Sequence, residues 1–242
     1  MGEEGEGRVE AGIRDDDYVR DLFDRMGPTY VVMNVVSSFG FSEIWRWQCV
    51  AGAGIEAGSR VCDMMAGSGE CWKYVRRSGG EIVSVDFSGY MVERQRRRNE
   101  KLGGEVDVRC ENATRTSIEG GSVDHVVGAF ALKTLSGAVA GDFAEEVWRV
   151  LRPGGSFSFL EISVPGNRWL AVPYRWYLQR VIPMLGKLML GDIECYRMLG
   201  RYTEEFGSCG ALVTKFEEAG LEVTLKTHFF GCASSLVGRR RR

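Results

Sequence analysis

The fold of this chain is decided by the stretch Val61-Cys62-Asp63-Met64-Met65-Ala66-Gly67-Ser68-Gly69-Glu70. A short apolar run ends at Asp63, a loop of small residues with two glycines follows, and a helical pattern runs from Cys71 to Arg77. This order predicts a β-strand that turns through a glycine loop into a helix. Glycines in such a loop let backbone N–H groups approach a ligand, and the start of a helix favours a negative group. The stretch therefore predicts a ligand site at the end of the first strand.

A second strand follows this helix and also ends in a carboxylate. Ile82 to Val85 is an apolar run, and Asp86 comes directly after it, 17 residues beyond Gly69. A carboxylate at that position can accept hydrogen bonds from both hydroxyls of a ribose. Together the glycine loop and Asp86 predict a site for a nucleoside-bearing cofactor.

Two side chains narrow the identity of that cofactor. A dinucleotide site usually has a third glycine, for close packing of the helix, where this chain has Trp72. Trp72 argues against a pyrophosphate along the helix and therefore against an NAD-linked oxidoreductase. Asp63 suits a cationic or amino-bearing ligand better than a phosphate. S-adenosylmethionine (SAM) carries an amino group and a sulfonium, and it is the predicted cofactor.

The composition is typical of a soluble globular protein. The 242 residues are 44% apolar and 26% charged, with a net charge of −2, and they suffice to bury a full core. This balance of charge gives no case for nucleic-acid binding. The basic end, Gly238 to Arg242, is either a solvated terminus or a contact for anionic lipid headgroups.

Cysteine and histidine usage exclude two kinds of site. The seven cysteines are odd in number and form no C-x-x-C pair, which indicates reduced core residues of an intracellular, cytoplasmic protein. Two histidines are too few for a histidine-rich site, and no metal is expected. No apolar run approaches the roughly 18 residues of a membrane span.

Residues 1–17 are acidic, rich in glycine and without an apolar signal core, and they are predicted to be disordered.

Residues 18–50 are predicted to form an N-terminal helical lid. Apolar residues recur there at steps of three and four, and Pro28 is expected to separate two helices. The second half carries an aromatic cluster of Phe39, Phe41, Trp45 and Trp47. These helices either pack on the core of the sheet or supply apolar walls for a substrate.

Residues 51–242 are predicted to form the cofactor-binding domain. Predicted strands at 61–63, 82–85, 106–110, 123–130, 156–162, 221–229 and 231–238 alternate with helices at 88–99, 143–151 and 211–219. This alternation predicts an α/β fold, a Rossmann-like, doubly wound, seven-stranded and mostly parallel sheet with an antiparallel last strand. Residues 164–202 break the rhythm and are rich in Trp and Tyr. They predict a helical insertion over the carboxyl ends of the strands, where ligands bind in such folds.

Short motifs spread over the chain match one family of enzymes. They are Tyr30–Asn34, Ser38–Gly40, Trp45, the Asp63 glycine loop, Asp86, Asn112–Ala113, Ala129–Leu132, Arg149–Gly155, Leu160–Ser163, Pro183–Lys187 and Tyr196–Leu199. From about Tyr18 to Arg239 the chain thereby resembles the class I SAM-dependent methyltransferases, and within them the ubiquinone/menaquinone C-methyltransferases. The segments Tyr30–Asn34 and Pro183–Lys187 are the ones more specific to this quinone branch.

The resemblance implies which residues hold SAM. Ser68 and the backbone of Gly67 and Gly69 would contact its methionine part, while Asp63 and Glu70 would lie near its amino group and ribose. Further implied cofactor-binding residues are Asp86 at the ribose hydroxyls, Asn112 and Ala113 at the adenine amino edge, Met91 on the adenine, Ala129 through its backbone, and Ala66 and Phe87.

Methyl transfer from SAM requires the enzyme mainly to align the acceptor with the methyl group. In methyl transfer the sulfur leaves as a neutral thioether, so what remains is to orient the acceptor and make it nucleophilic. A phenol or hydroquinone becomes a strong carbon nucleophile when its hydroxyl loses a proton to a residue or a positioned water. The candidates for this step are Lys133, Tyr196, Arg197 and His228, followed by Tyr177 and Glu161. Each has a structural alternative, such as a surface lysine or a packed histidine.

Three functions remain open at this stage. The first is a SAM-dependent methyltransferase of quinone biosynthesis that acts on a small, largely apolar aromatic acceptor, most simply a ring carbon of a quinol or phenol. The second moves the methyl to an N or O atom of a specialised metabolite, because Val31, Lys133 and Thr134 stand where the family has Asp, Arg and Asn. The third is a SAM-binding, non-catalytic partner in a biosynthetic complex. The sequence also admits contact with a membrane surface and a homodimer.

Overall fold

The described part of the chain begins just inside the predicted disordered segment. The computed structural model describes residues 16–135, 137–190 and 193–242, without the side chains of 16–18, 23, 28–31, 189–190 and 193–195. The predicted disorder of residues 1–15 lies outside this part, and Asp16 and Asp17 begin the first helix.

Helices and strands alternate through most of the described residues. In chain order they are α1 (Asp16–Ser37), α2 (Phe41–Gly52), β1 (Arg60–Met64), α3 (Trp72–Arg77), β2 (Glu81–Asp86), α4 (Gly89–Lys101), β3 (Asp107–Cys110), β4 (Val123–Ala129), α5 (Gly137–Val150), β5 (Leu151–Ile162), α6 (Arg168–Trp176), α7 (Ile182–Leu190), α8 (Ile193–Phe206), α9 (Val213–Glu218), β6 (Leu221–His228) and β7 (Ala233–Arg240). A π-helical turn, Tyr177–Val181, joins α6 to α7.

The strands form one twisted sheet in the order β3-β2-β1-β4-β5-β7-β6. The first five run parallel, and β7 is antiparallel to both β5 and β6. The predicted fold class is therefore confirmed. The strand order reverses between β1 and β4, and in doubly wound sheets ligands bind outside the carboxyl ends of the strands at that switch point.

The core follows the two-residue period of the strands. Cys62, Met64 and Val126 pack on the side of the sheet covered by α5 and α9, whereas Val61 and Val127 pack on the other side, covered by α2 and α3. Because both faces are covered, these strands are near-continuous apolar runs. A carboxylate in such a strand, as at Asp63, is therefore an exception that needs a functional reason.

The predicted helix break at Pro28 is wrong. Helix α1 continues from Asp16 to Ser37 and ends where Gly40 takes a left-handed φ of 81°, which costs a glycine little. A proline inside a helix removes a backbone hydrogen bond. Packing on both sides of Pro28 offsets this loss, because Met26 and Met33 are buried in the same apolar cluster.

The predicted loop Arg152–Gly155 is instead part of β5, which begins at Leu151 rather than at residue 156. Val123 pairs with Leu151 and His125 with Ser156, so the four residues form a bulge in the strand. Helix α5 also begins earlier than predicted, at Gly137. Pro153, Gly154 and Gly155 thus cause a local bulge in β5, and the pairing of β5 with β4 continues on both sides of it.

The insertion after β5 is helical, as predicted, and it covers the carboxyl end of the sheet together with α1. The Tyr177 hydroxyl donates to the backbone oxygen of Ser37 at 2.6 Å, and the Tyr174 hydroxyl lies 3.4 Å from the oxygen of Cys232. Within the described ranges, no helix combines the length and the apolar character required to cross a bilayer.

Candidate active site

A cleft lies at the carboxyl ends of β1, β2 and β4. It has two lobes of about 50 Å³ each, which share Val19, Met65, Asp86, Phe87 and Thr134. One lobe is also lined by Arg46, Ala66, Gly67, Glu70, Met91, Ala129, Phe130 and Ala131, and the other by Asn112, Ala113, Thr114, Leu135 and Val139. Most of the predicted cofactor-binding residues thus meet here, while Asp63, Ser68 and Gly69 lie directly behind the lining.

The lobes are small because α1 covers them. Ligand pockets commonly measure ~300–1,000 Å³, and Val19 of α1 narrows both lobes here. The helix is held down by the Ser88 hydroxyl, which donates to the Asp24 carboxylate. The position of α1 therefore sets the size of both lobes.

Asp86 shapes the glycine loop from the end of β2. Its Oδ2 accepts the Gly67 N–H at 2.8 Å and its Oδ1 accepts the Ser88 N–H at 2.9 Å. Burial raises the pKa of Asp86 to about 7, and these two hydrogen bonds restrain the rise. Each carboxylate oxygen keeps a second lone pair, so the side chain can still accept two ribose hydroxyls.

Asp63 is a buried carboxyl group without a hydrogen-bond partner among the described residues. Its side chain is 1% exposed, and neither Oδ1 nor Oδ2 is bonded. Burial, together with the nearby Glu70 and Asp86 carboxylates, raises the pKa of Asp63 well above its usual value. A cationic or amino-bearing ligand group would complement this acidic group.

The glycine loop is packed tightly on Trp72, which occupies the place of the third glycine. Trp72 is fully buried, and its Nε1 donates to the Ser84 hydroxyl at 3.2 Å. A Cβ on Gly69 would lie 2.6 Å from the Trp72 ring, and Gly69 has a left-handed φ of 79°. Only glycine fits there. The Ser68 hydroxyl donates to Glu70, which fixes the far side of the loop.

Arg46 brings a positive charge into the cleft, and sequence reasoning missed it. Its side chain is 2% exposed, pairs with Glu43 at 2.8 Å and lies 5.0 Å above the Phe130 ring. The buried stripe of α2 consists of Ser42, Trp45, Arg46, Cys49 and Val50, at helical spacing. An arginine at a core position of an amphipathic helix is the signal that could have revealed it.

Two of the five non-glycine residues with a positive φ in the described chain lie directly after strands of the cleft. Met65 after β1 has φ 54° and Phe130 after β4 has φ 67°, both in the left-handed region that costs a non-glycine residue ~1–2 kcal/mol. Such outliers persist where surrounding contacts hold them, often at functional sites. Phe130 lines the cleft on one side and a larger cavity on the other.

This larger cavity, of about 310 Å³, is largely apolar, and seven of its fifteen lining residues are aromatic. It is lined by Asn34, Ser37, Ser38, Phe39, Phe41, Ser42, Trp45, Phe130, Ile162, Tyr174, Tyr177, Leu178, Ile182, Phe229 and Cys232. The lid, the insertion and the β6–β7 turn all contribute. The predicted aromatic cluster therefore supplies walls for this cavity through Phe39, Phe41 and Trp45, whereas Trp47 is exposed.

Lys133 and Glu161 form a buried ion pair behind Phe130. The two side chains are 3% and 0% exposed, and Lys133 Nζ lies 3.0 Å from Glu161 Oε1. Nζ also donates to the Phe130 oxygen at 2.7 Å, and the Lys133 N–H donates to Glu161 Oε2 at 3.1 Å. Neither residue lines the cavity. Their contacts hold the strained turn at Phe130.

The remaining catalytic candidates are dispersed. Tyr196 is buried in the apolar cluster that joins α1, α4 and α8, and Arg197 is exposed. His228 Nε2 lies 2.8 Å from the Ser235 hydroxyl, and burial lowers the pKa of His228. Its neighbour Phe229 lines the cavity, as does Tyr177, while His228 does not. The second histidine, His125, lies away from the cavity, with its Nδ1 2.7 Å from the Ser156 hydroxyl.

Comparisons with known proteins agree with this geometry. The model of the ubiE/COQ5 methyltransferase family matches residues 12–240. A demethylmenaquinone methyltransferase from Thermus thermophilus is 33% identical over 90% of this chain and 100% of its own length. A ubiquinone/menaquinone biosynthesis C-methyltransferase from Hydrogenovibrio crunogenus is 31% identical over 92% of this chain and 88% of its own length.

Solved structures show the same fold at low sequence identity. A SAM-dependent methyltransferase from Aquifex aeolicus has a TM-score of 0.61 at 17% identity and covers 86% of this chain and 96% of its own. One from Thermotoga maritima has a TM-score of 0.61 at 16% identity, covering 91% and 99%. The chain therefore belongs to the ubiE/COQ5 methyltransferase family and is an enzyme that uses S-adenosylmethionine.

Proposed function

We propose that this enzyme transfers the methyl group to a ring carbon of a quinol, of the kind processed by its demethylmenaquinone-methylating relatives. One observation carries the proposal, namely the apolar cavity of about 310 Å³ that adjoins the cofactor cleft at Phe130. Its walls suit a flat aromatic ring bearing an apolar chain. The described walls include no carboxylate that would bind an amine, which disfavours a cationic N-acceptor.

In this proposal the polar groups of the cleft match the polar groups of SAM. Asp86 accepts the ribose hydroxyls, Asn112 and Ala113 lie at the adenine, and Asp63 complements the amino group. Arg46 complements the carboxylate, because it is the buried cation of the lobe that contains Gly67. When bound, SAM supplies an electrophilic methyl group, and every other requirement of the reaction falls on the protein.

The protein orients the acceptor, whose hydroxyl proton must leave before the methyl group is transferred. The new bond joins the methyl to a ring carbon while the sulfur–methyl bond breaks, and the ring carbon then loses its own proton. A quinol hydroxyl must ionise to make that carbon nucleophilic. Burial raises the pKa of Tyr174, Tyr177 and Cys232, so these wall residues stay protonated near neutral pH and do not take up the proton. The hydroxyl proton of the acceptor therefore leaves to water.

Filling the cavity should abolish methyl transfer and spare cofactor binding. We expect Cys232→Trp to lower transfer from labelled SAM to a naphthoquinol by ~100-fold, because the indole occupies the acceptor's space. The SAM dissociation constant should stay within about twofold, since Cys232 lies outside the cleft. Cys232→Ser, of equal size, is the control and should keep its activity. Full turnover by Cys232→Trp, or wild-type labelling of amines alone, would contradict the proposal.

We also propose that the enzyme works at a membrane surface, where apolar quinols reside. The basic tail lies at the wrong end of the molecule for this, because Arg239 pairs with Ser156 at the start of β5 and the cavity lies beyond Ile162 at its end. Helix α6 is better placed. Trp169, Val172 and Trp176 are 89%, 66% and 62% exposed on one side of this helix, and residues 168–190 contain four basic and no acidic residues.

Removing the two exposed indoles should weaken membrane binding. We expect the double change Trp169→Ser and Trp176→Ser to reduce co-sedimentation with vesicles containing anionic phospholipid by at least tenfold. Turnover of a short-chain, water-soluble quinol should stay the same. The exposed Trp47→Ser, on α2, is the matched control. Equal sedimentation of all three proteins would refute this surface. The homodimer remains a prediction.

A further inference from the structure

We infer that Asn34 and Ser42 orient the acceptor ring by hydrogen bonding to its oxygen atoms. The inference rests on the proposed function, because it concerns the cavity assigned to the acceptor. Both residues line this otherwise apolar space. Asn34 Nδ2 and Ser42 Oγ are sealed from solvent and have no hydrogen-bond partner among the described residues.

Unpaired polar atoms in an apolar cavity are unfavourable unless a ligand satisfies them. A buried donor without a partner costs enough to change an equilibrium roughly 5- to 150-fold. The neighbouring Ser38 shows the usual solution, since its hydroxyl accepts the Ser42 N–H at 2.9 Å and donates to the Val35 oxygen at 3.3 Å. Asn34 and Ser42 therefore differ from Ser38, Tyr174 and Tyr177 of the same wall, whose hydroxyl groups have hydrogen-bond partners.

Their position suits a reacting ring. Ser42 lies on the buried face of α2, three residues before Trp45 and four before Arg46. Trp45 meets the Phe130 ring edge-on at 6.4 Å, and Arg46 lies above the same ring. Ser42 is thus about one helical turn from the boundary between the cavity and the cofactor cleft. A ring oxygen held there places the adjoining ring carbons near the methyl donor.

The chemistry of the two groups defines the ligand. The Asn34 amide nitrogen only donates, and the Ser42 hydroxyl donates or accepts. An ionised hydroquinone oxygen accepts from both kinds of donor, whereas a hydrocarbon ring satisfies neither. Neither side chain takes up a proton near neutral pH, so both act as positioning residues. The pair therefore selects aromatic rings that carry oxygen on the ring.

The test compares two rings that differ by one oxygen, 1,4-naphthalenediol and 1-naphthol. With the diol, Asn34→Leu and Ser42→Ala should each lower kcat/KM roughly 5- to 150-fold. 1-Naphthol lacks one of the two hydroxyl groups of the diol. The substitution of the residue that binds this missing hydroxyl should therefore change kcat/KM for 1-naphthol by less than threefold. The difference between the effects of one substitution on the two rings measures the hydrogen bond between that residue and the missing hydroxyl.

Two readouts separate this role from a structural one. The urea midpoint of Asn34→Leu and Ser42→Ala should not fall, since each substitution removes an unpaired buried group. The control Ser38→Ala should lose stability, while the ratio of its kcat/KM values for the two rings should match that of the wild type. The dissociation constants of the two rings should show the same dependence, with each substitution weakening binding of the ring whose hydroxyl it contacts. Wild-type turnover of the diol tests the proposed function separately. Equal losses with both rings, or no loss with either, would overturn the inference.

Discussion

Asp86→Ala is expected to weaken SAM binding by ~100-fold or more. A carboxylate that accepts two hydroxyls contributes about 1.5–3 kcal/mol per charged hydrogen bond, and the substitution also removes the anchor of the Gly67 N–H. Titration calorimetry with SAM measures the effect. Asp107→Ala is the matched control, because that exposed carboxylate on β3 pairs only with Arg109 in its vicinity. A loss below fivefold would show that the ribose lies elsewhere.

The same carboxyl group should make cofactor affinity depend on pH. The pKa of Asp86 in the free protein is about 7, against an ordinary 3.8, so the folded protein binds a proton that the unfolded chain has released. The stability of the free protein should therefore fall as pH rises from about 4 to 7. SAM affinity should rise with pH and level off above about 7, because binding requires the ionised form. In Asp86→Asn this pH dependence should flatten, and an unchanged slope would assign it to Asp63.

Glu161→Ala is expected to lower the free energy of unfolding by ~3–5 kcal/mol. The substitution leaves the Lys133 ammonium buried at 3% exposure without its counter-charge. Urea denaturation followed by tryptophan fluorescence measures the loss. Glu93→Ala is the control, since that exposed carboxylate pairs with Arg97 on the surface of α4 and should cost less than ~0.5 kcal/mol.

Removing both charges should restore much of this stability. The double substitution Lys133→Met and Glu161→Leu keeps the volume and leaves no unpaired ion, which is often neutral or stabilising. It also removes the Nζ contact that holds the Phe130 oxygen at 2.7 Å. We therefore expect this variant to be stable but slower in methyl transfer. If Glu161→Ala has the same free energy of unfolding as the double variant, the unpaired Lys133 charge does not destabilise the protein and the prediction is wrong.

Much of the cofactor cleft could be predicted from the sequence because its signals are local. Strand β1, the glycine loop and Asp86 lie within 27 residues, and the apolar runs and glycines that mark them are visible in the sequence itself. The Ser88 cap of α4 was likewise predictable, since capping involves the next three residues, and its hydroxyl accepts the Met91 N–H at 3.1 Å.

Contacts between distant segments decided the rest. Lys133 looked equally like a surface lysine, and only Glu161, 28 residues away, makes it a buried support for Phe130. Pro28 looked like a helix end, and only the packing of Met26 and Met33 carries α1 past it. Arg46, Asn34 and Ser42 meet the site because α1 and α2 fold back over the sheet.

The sequence by itself thus determined the alternation of strands and helices, the cofactor loop and the carboxylates near the carboxyl ends of β1 and β2, because these depend on residues close together in the chain. The tertiary structure alone decided which polar groups face the acceptor cavity and which lie behind it. The physical reason is that a side chain's partner and its exposure are set by whatever packs against it. In this enzyme those neighbours lie far along the chain, from 28 residues for Lys133 and Glu161 to 140 residues for Tyr177 and Ser37.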